Sequence, residues 1–223
     1  MSFSLIIPIA ADNIEYEQCM PSVFGLGEDG IMYCVRAIMG LDLQQFNAIY
    51  FSILAKHNER YYIEQLLNLQ FQRLKLKNAK VVIMRQPTSS QPETVYRTIK
   101  QENISGSIYV KDADSYFLSE VTQSNSVAIY PLESLEWVNP KDKSYVAVDD
   151  MFYVTNIIEK RIVSHYFSAG GYGLESCEDF CRYYEQFAGA KDLYLSHIIY
   201  AMLLNKYIFR PTLVKCYQDF NKQ

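Results

Sequence analysis

Along the first half of the chain, hydrophobic positions follow two different periods. Residues 3–9 (FSLIIPI) form a nearly unbroken apolar run, as expected of a strand buried on both faces. Residues 28–41 place Ile31, Val35, Ile38 and Met39 at helical spacing and close on Gly40, so a helix is predicted there. A second buried strand is predicted at 47–54 and a third at 79–84. Between them Asn58 is placed to cap a long helix over 59–76, with Tyr62, Leu66, Leu69 and Arg73 along its packed side. Pro92 suits the first turn of a helix running to Glu102, and 106–111 (GSIYVK) is a fourth strand ending at Asp112. Strand and helix thus alternate four times, the pattern of a mainly parallel, doubly wound, Rossmann-like α/β sheet.

The second half changes character. Strand-like runs at 126–131, 143–148 and 151–159 are separated by short polar turns, which predicts an antiparallel addition. Residues 165–173 read as a strand entering a glycine-rich turn. Ser176 is placed to cap a helix to Phe187, residues 193–205 form another helix, and 212–217 are a last strand leading to Asp219. No Pro-, Gly- or Ser-rich linker divides the chain and no internal repeat is visible, so a single domain over 1–223 is expected.

Composition narrows the classes of function. With 21 Lys+Arg against 25 Asp+Glu the net charge is -4, and no basic stripe marks a nucleic-acid surface. No run of about 20 apolar residues offers a membrane span. Five cysteines without a C-x-x-C pair read as reduced core thiols, and the N-terminus has no charged leader, so a cytoplasmic setting is expected. Nine glycines in 223 residues is about 4%, against an average near 7%, too few for several phosphate-cradling loops. The 19 tyrosines suit a sugar-facing cleft or an interface, since the ring pairs an apolar face with a hydroxyl. Assembly into a homo-oligomer is left open.

The sharpest chemical feature is Lys111-Asp112-Ala113-Asp114-Ser115-Tyr116-Phe117. Two carboxylates, two residues apart, follow a buried strand and so emerge at the carboxyl edge of the sheet, where ligands of open α/β folds bind. Such a pair is either a solvated turn or a site for a hard divalent cation that bridges phosphates. Gly170, Gly171 and Gly173 are three of the nine glycines within four positions, which points to a ligand or backbone lying close. His57, His165 and His197 are scattered. His57 is placed to face a cleft, whereas His197 reads as a packed mid-helix side chain.

Taken in order, these segments resemble the sugar nucleotidyltransferases, GT-A-like enzymes that join a nucleoside triphosphate to a sugar phosphate. Residues 5–11 resemble the first strand, and Gly106–Phe117 resembles the strand and metal-binding Asp segment. Pro87-Thr88-Ser89-Ser90-Gln91-Pro92-Glu93-Thr94-Val95 resembles the base-holding T-x-G-Q-A-E-T-V stretch. Glu159-Lys160 followed by Ala169-Gly170-Gly171-Tyr172 resembles the E-K pair and the "A-G-x-Y" turn of the sugar pocket. Cys216-Tyr217-Gln218-Asp219 resembles the late segment whose Asp is a second metal ligand. The resemblance implies Mg²⁺ (or Mn²⁺) on Asp112, Asp114 and Asp219, with Asp112 and Lys160 in the catalytic roles. It implies nucleotide contacts from Ala10, Ala11, Thr88, Ser90 and Gln91, and acceptor contacts from Glu159, Gly170, Gly171 and Tyr172. The partners implied are a nucleotide and a sugar-phosphate-like metabolite, and the product would feed capsule or surface polysaccharide.

The chain departs from the family pattern after its first strand. Members carry G-x-G-x-R and then a P-K pair, whereas Ala10–Ser22 contains no Gly, Arg or Lys and includes Asp12, Glu15 and Glu17. Arg36 and Lys56 are the candidate substitutes for the missing cations. Two further readings follow from the departure: a nucleotide-sugar-binding homologue without turnover, and a GT-A glycosyltransferase that uses the Asp-x-Asp on Mn²⁺.

Overall fold

The computed structural model describes residues 2–10, 20–135 and 143–220. Strand β1 (Phe3–Ile9) lies near the middle of a mixed sheet and alternates its side chains between two hydrophobic cores. Ile6 enters one core; Leu5 and Ile7 enter the other, so both faces need cover. A four-residue helix α1 (Tyr33–Arg36), strand β2 (Ala48–Leu54), helices α2 (Ala55–Tyr61) and α3 (Ile63–Leu74), strand β3 (Ala79–Met84), helix α4 (Gln91–Glu102) and strand β4 (Ser107–Lys111) complete the first half. β1 pairs in parallel with β2 and β4, and β2 pairs in parallel with β3.

Strands β5 (Ser115–Leu118), β6 (Ser126–Pro131), β7 (Ser144–Val148), β8 (Val154–Glu159) and β9 (Tyr166–Leu174) follow, then helices α5 (Cys177–Phe187) and α6 (Leu195–Leu204) and strands β10 (Arg210–Leu213) and β11 (Lys215–Asp219). The sheet order is β10-β6-β9-β4-β1-β2-β3, with the β7–β8 hairpin joined to β9. β9 runs antiparallel to β4 and β6, and β5 forms a separate antiparallel ribbon with β11. The architecture is the mainly parallel α/β sheet with an antiparallel addition that the hydrophobic pattern implies.

Several local expectations are corrected. The helix over 28–41 shrinks to α1, because Asp29 Oδ1 accepts from the Ile31 amide at 3.1 Å and Gly30 takes φ +72°. This turn satisfies the backbone without a helix. The long helix over 59–76 is two helices, broken where Tyr62 adopts φ 55°. Asn58 does cap, but from inside α2: its Oδ1 accepts from the Glu64 amide of α3 at 2.8 Å.

That break also resets the helical phase. The packed side of α3 is Ile63, Leu67 and Phe71, whereas Tyr62, Leu66 and Leu69 are 66%, 41% and 61% exposed. In the second half the glycines of 170–173 lie inside β9 rather than in a turn, beside a register shift between Val127 and Ile129 on β6. The expected last strand splits at Val214 into β10 and β11, and β5, its partner, was not expected at all.

Candidate functional site

β1 and β4 are parallel neighbours, so their carboxyl ends open on the same edge of the sheet. β4 delivers Lys111, and the chain turns through Asp112 and Asp114 into β5. That turn is built around a buried cation. Lys111 Nζ is fully buried and donates to the Asp112 carbonyl (2.8 Å), the Ser115 carbonyl (2.8 Å) and Ser115 Oγ (2.9 Å). All three ammonium donors are therefore spent inside the turn. Burial pushes Lys111 down to about 8, against the opposing pull of Asp112 and Asp114.

Asp112 stands at the junction of two lobes. One, of about 180 Å³, is lined by residues of β9, the start of α6 and the open end of the β7–β8 hairpin, among them Lys143, Glu159, Lys160, Gly170 and Tyr172. The other, of about 240 Å³, lies beside β1 and is lined by Pro8, Ile9, Pro21, Val23, His57 and Ala113. Gln91, Asp112 and Asp114 line both. Gln91, the first residue of α4, donates from Nε2 to Asp112 Oδ1 at 2.5 Å. The Asp112 amide donates to the Gly170 carbonyl at 2.8 Å. Burial and the neighbouring Asp114 push Asp112 up to about 6, opposed by Lys111, Gln91 and Lys143.

The lobe bounded by β7–β9 gathers most of the residues singled out from the sequence. Glu159 Oε2 accepts from Ser144 Oγ and from Ser196 Oγ, the latter at 2.8 Å. Lys160 Nζ donates to Tyr194 Oη and lies 4.5 Å above that ring, and this contact raises its affinity for a proton. Tyr172 is buried, and burial with Asp112 nearby holds its phenol well above the usual range. Three of the many tyrosines, Tyr172, Tyr194 and Tyr217, line this lobe.

Other expected site residues are placed elsewhere. Gly171 faces the opposite core, where a Cβ would fall 2.8 Å from Phe117 Cζ and collide with the Tyr109 hydroxyl. Thr88 Oγ1 shares a hydrogen bond with Thr94 Oγ1 at 2.6 Å, and Ser90 caps α4 by accepting from the Glu93 amide at 3.4 Å. Neither lines a lobe; they shape the loop that presents Gln91. Ala10 is buried and its carbonyl accepts from the Thr88 amide at 3.3 Å, tying that loop to the end of β1. Ala11, with Asp12, Glu15 and Glu17, lies outside the described residues.

Arg36 is ion-paired with Asp29, and neither it nor Lys56 lines either lobe. His57 does face the β1 lobe. His197 is exposed, and its Nδ1 accepts from the Tyr194 amide at 3.2 Å, so it caps α6 rather than packing in the core.

Asp219 does not join Asp112 and Asp114. Its Oδ2 is 2.8 Å from Lys143 Nζ, which also donates to Tyr217 Oη at 2.7 Å. Among the described residues no three His, Cys, Asp or Glu side chains form a metal cluster. Asp112 and Asp114 nevertheless suit a hard cation. They are oxygen donors whose mutual repulsion a cation would relieve, and Mg²⁺ commonly takes one or two carboxylates, waters and substrate phosphates. Lys143 escaped the sequence reading, because its partners lie 74 and 76 residues away and leave no local pattern.

No protein-family model matches the sequence, and no curated protein matches it. Among solved structures the chain is similar to the nucleoside-diphosphate-sugar pyrophosphorylase from Vibrio cholerae RC9, with a TM-score of 0.74 at 15% identity over 95% of this chain and 92% of that one. It is equally similar to the inositol-1-phosphate CTP transferase from T. maritima, with a TM-score of 0.74 at 15% identity over 98% and 89%. A UDP-glucose pyrophosphorylase complexed with UDP-glucose matches with a TM-score of 0.72 at 14% identity over 99% and 94%. The fold is therefore that of the sugar nucleotidyltransferases.

Proposed function

We propose that this protein is a sugar-phosphate nucleotidyltransferase, which transfers a nucleoside monophosphate from a triphosphate to a sugar phosphate or similar small phosphorylated metabolite and releases pyrophosphate. The observation that carries this reading is the pair of lobes meeting at Asp112, one of them furnished with Lys143, Lys160, Glu159 and serine hydroxyls. A phosphate oxygen of the acceptor attacks the α-phosphorus as the bond to pyrophosphate breaks in line, so the protein has mainly to position two anions against each other.

Lys160 spends one ammonium donor on Tyr194 and turns the others to the acceptor phosphate. Glu159, held by Ser144 and Ser196, is placed to accept from sugar hydroxyls. Gln91 orients Asp112. Asp112 and Asp114 would hold Mg²⁺ (or Mn²⁺), which supplies charge neutralisation to the phosphates when bound. The free thiols Cys34, Cys177, Cys181 and Cys216 suit a cytoplasmic supply of activated sugar for surface polysaccharide.

A specific observation favours a second reading, binding without turnover. No Lys or Arg lines the β1 lobe among the described residues, and residues 11–19 contain none. A triphosphate there lacks the cations that would offset charge on the leaving pyrophosphate. The two readings separate in one experiment: each nucleoside triphosphate with Mg²⁺ and a panel of sugar 1-phosphates, assayed for pyrophosphate release. Release with one pair supports the enzyme. No release with any pair, together with a raised melting temperature on adding a nucleotide sugar, supports the binding protein. Hydrolysis of a nucleotide sugar with no release from triphosphates points to glycosyl transfer instead.

A further inference from the structure

Strand β4 ends on a charged residue in an apolar core position. Side chains alternate along a strand, so Lys111 shares the face of Tyr109, which packs in the core that also holds Phe117. Lys111 is fully buried, and its ammonium lies 4.5 Å from the centre of the Phe117 ring. Withdrawing a lysine this far from water is unfavourable unless its donors are met. They are met by one turn: the Asp112 carbonyl, the Ser115 carbonyl and Ser115 Oγ, at 2.8, 2.8 and 2.9 Å.

These contacts belong to a network that surrounds the two carboxylates. Asp112 is tied at its carbonyl by Lys111, at its amide by the Gly170 carbonyl and at its carboxylate by Gln91. Ser115 Oγ accepts from Lys111 and donates to the Ala169 carbonyl at 3.0 Å, which joins the far side of the turn to β9. The Asp114 carbonyl accepts from the Phe220 amide at 2.8 Å. Among these groups Lys111 alone spans the turn, because its ammonium reaches Asp112 and Ser115 at once. Its charge also opposes the repulsion between Asp112 and Asp114.

We infer that Lys111 is a positioning residue, an internal ammonium that holds the Asp112–Ser115 turn in the conformation in which Asp112 and Asp114 receive a divalent cation. This role rests on the reading of those two carboxylates as the metal-holding pair. A compact ammonium suits it, since three convergent oxygens accept from a single point. An apolar side chain would fill the same space and leave two buried carbonyls without their donor.

The test is Mn²⁺ binding to the full chain, followed by electron paramagnetic resonance without nucleotide. Lys111→Met should weaken it about 10- to 100-fold, the range for losing an orienting partner. The direction is informative, because removing a positive charge near two carboxylates would by itself tighten Mn²⁺. Lys111→Ala should be equally weak, and propylammonium, which replaces the deleted atoms and the charge, should restore most of the affinity. Ser115 lines the cavity, so the added ion has a route to the turn. Tetramethylammonium carries the same charge without an N–H donor and should restore nothing.

Ser115→Ala removes one of the three acceptors and keeps the lysine; it should weaken Mn²⁺ about two- to tenfold, and it carries the test if the lysine variants do not fold. Mn²⁺ affinity at or above wild type in Lys111→Met overturns the inference, as does wild-type affinity in Ser115→Ala. So does a loss in Lys111→Ala that propylammonium does not reverse, or that both cations reverse alike. Absence of saturable Mn²⁺ binding to the wild type removes the metal-holding pair and this role with it. Affinities in the expected order without pyrophosphate release in any assay support the role of Lys111 while removing the enzymatic reading. Release by the wild type, with Mn²⁺ affinity unchanged in the lysine variants, does the reverse.

Discussion

Gly170 and Asp112 occupy space that only a glycine leaves open: a Cβ on Gly170 would sit 2.5 Å from Asp112 Oδ2 and 2.8 Å from its Cβ. Gly170 also holds φ +87°, a conformation that L side chains rarely adopt. The glycine is thus required twice, by its own backbone and by the carboxylate it faces. Gly170→Ala should destabilise the protein by about 1–3 kcal/mol in urea unfolding, and it should displace Asp112. Gly189 provides the control, with φ +85° and nothing within 4 Å of a built Cβ. Gly189→Ala should cost only about 1 kcal/mol and leave ligand binding unchanged.

Asp112 is held in its ionised form at a cost. Its carboxyl is pushed up to about 6 from an ordinary 3.8, so between those values the folded state binds more protons than the unfolded state. Stability due to this group therefore falls as pH rises from about 4 to about 6 and stays reduced above that. In a chelating buffer Asp112→Asn should be more stable than wild type at neutral pH by about 1–3 kcal/mol, and the gap should close toward pH about 4. Urea midpoints across this range provide the check. A variant as stable as wild type at every pH would remove the electrostatic account of this carboxylate.

The bond from Gln91, which lines both lobes, orients the Asp112 carboxylate. Gln91→Ala should weaken Mn²⁺ binding, followed by electron paramagnetic resonance, by about 10- to 100-fold, as loss of an orienting partner commonly does. Its melting temperature should move little, since Gln91 lines the cavity rather than the core.

The α2–α3 junction yields two predictions of opposite sign. Tyr62 is exposed and left-handed, so Tyr62→Gly should stabilise the fold by about 0.5–1 kcal/mol. Asn58→Ala removes the cap on the Glu64 amide and should cost about 1 kcal/mol. Chemical denaturation of both variants is sufficient. Equal and same-signed shifts would contradict the capping arrangement.

Much of the frame was legible from local pattern. The runs at 3–9 and 126–131 match β1 and β6, because a strand buried on both faces leaves an apolar run that no polar face interrupts, and the run at 79–84 matches β3, an edge strand that buries only Val82 and Met84. Ser90 and Ser176 cap α4 and α5 through bonds to the Glu93 and Asp179 amides, a contact made within three residues of chain. Asp112 and Asp114 stand at the edge of the sheet for the same local reason: they follow the end of β4.

What only the tertiary structure decided depends on phase, register and distance. The packed face of α3 was displaced by one residue, because a left-handed Tyr62 resets the phase of the helix that follows it. Of two adjacent glycines, Gly170 faces Asp112 and Gly171 faces Tyr109 and Phe117, since successive residues of a strand point to opposite sides. Asp219 is joined to Lys143 across 76 residues, a pairing set by where β11 lies relative to the residue before β7 and by nothing adjacent to either in sequence. The sequence by itself thus determined which elements form and placed the two carboxylates at a sheet edge, because those follow from contacts within a few residues. Packing decided which side chains share the cavity, because electrostatic and steric partners are chosen in space.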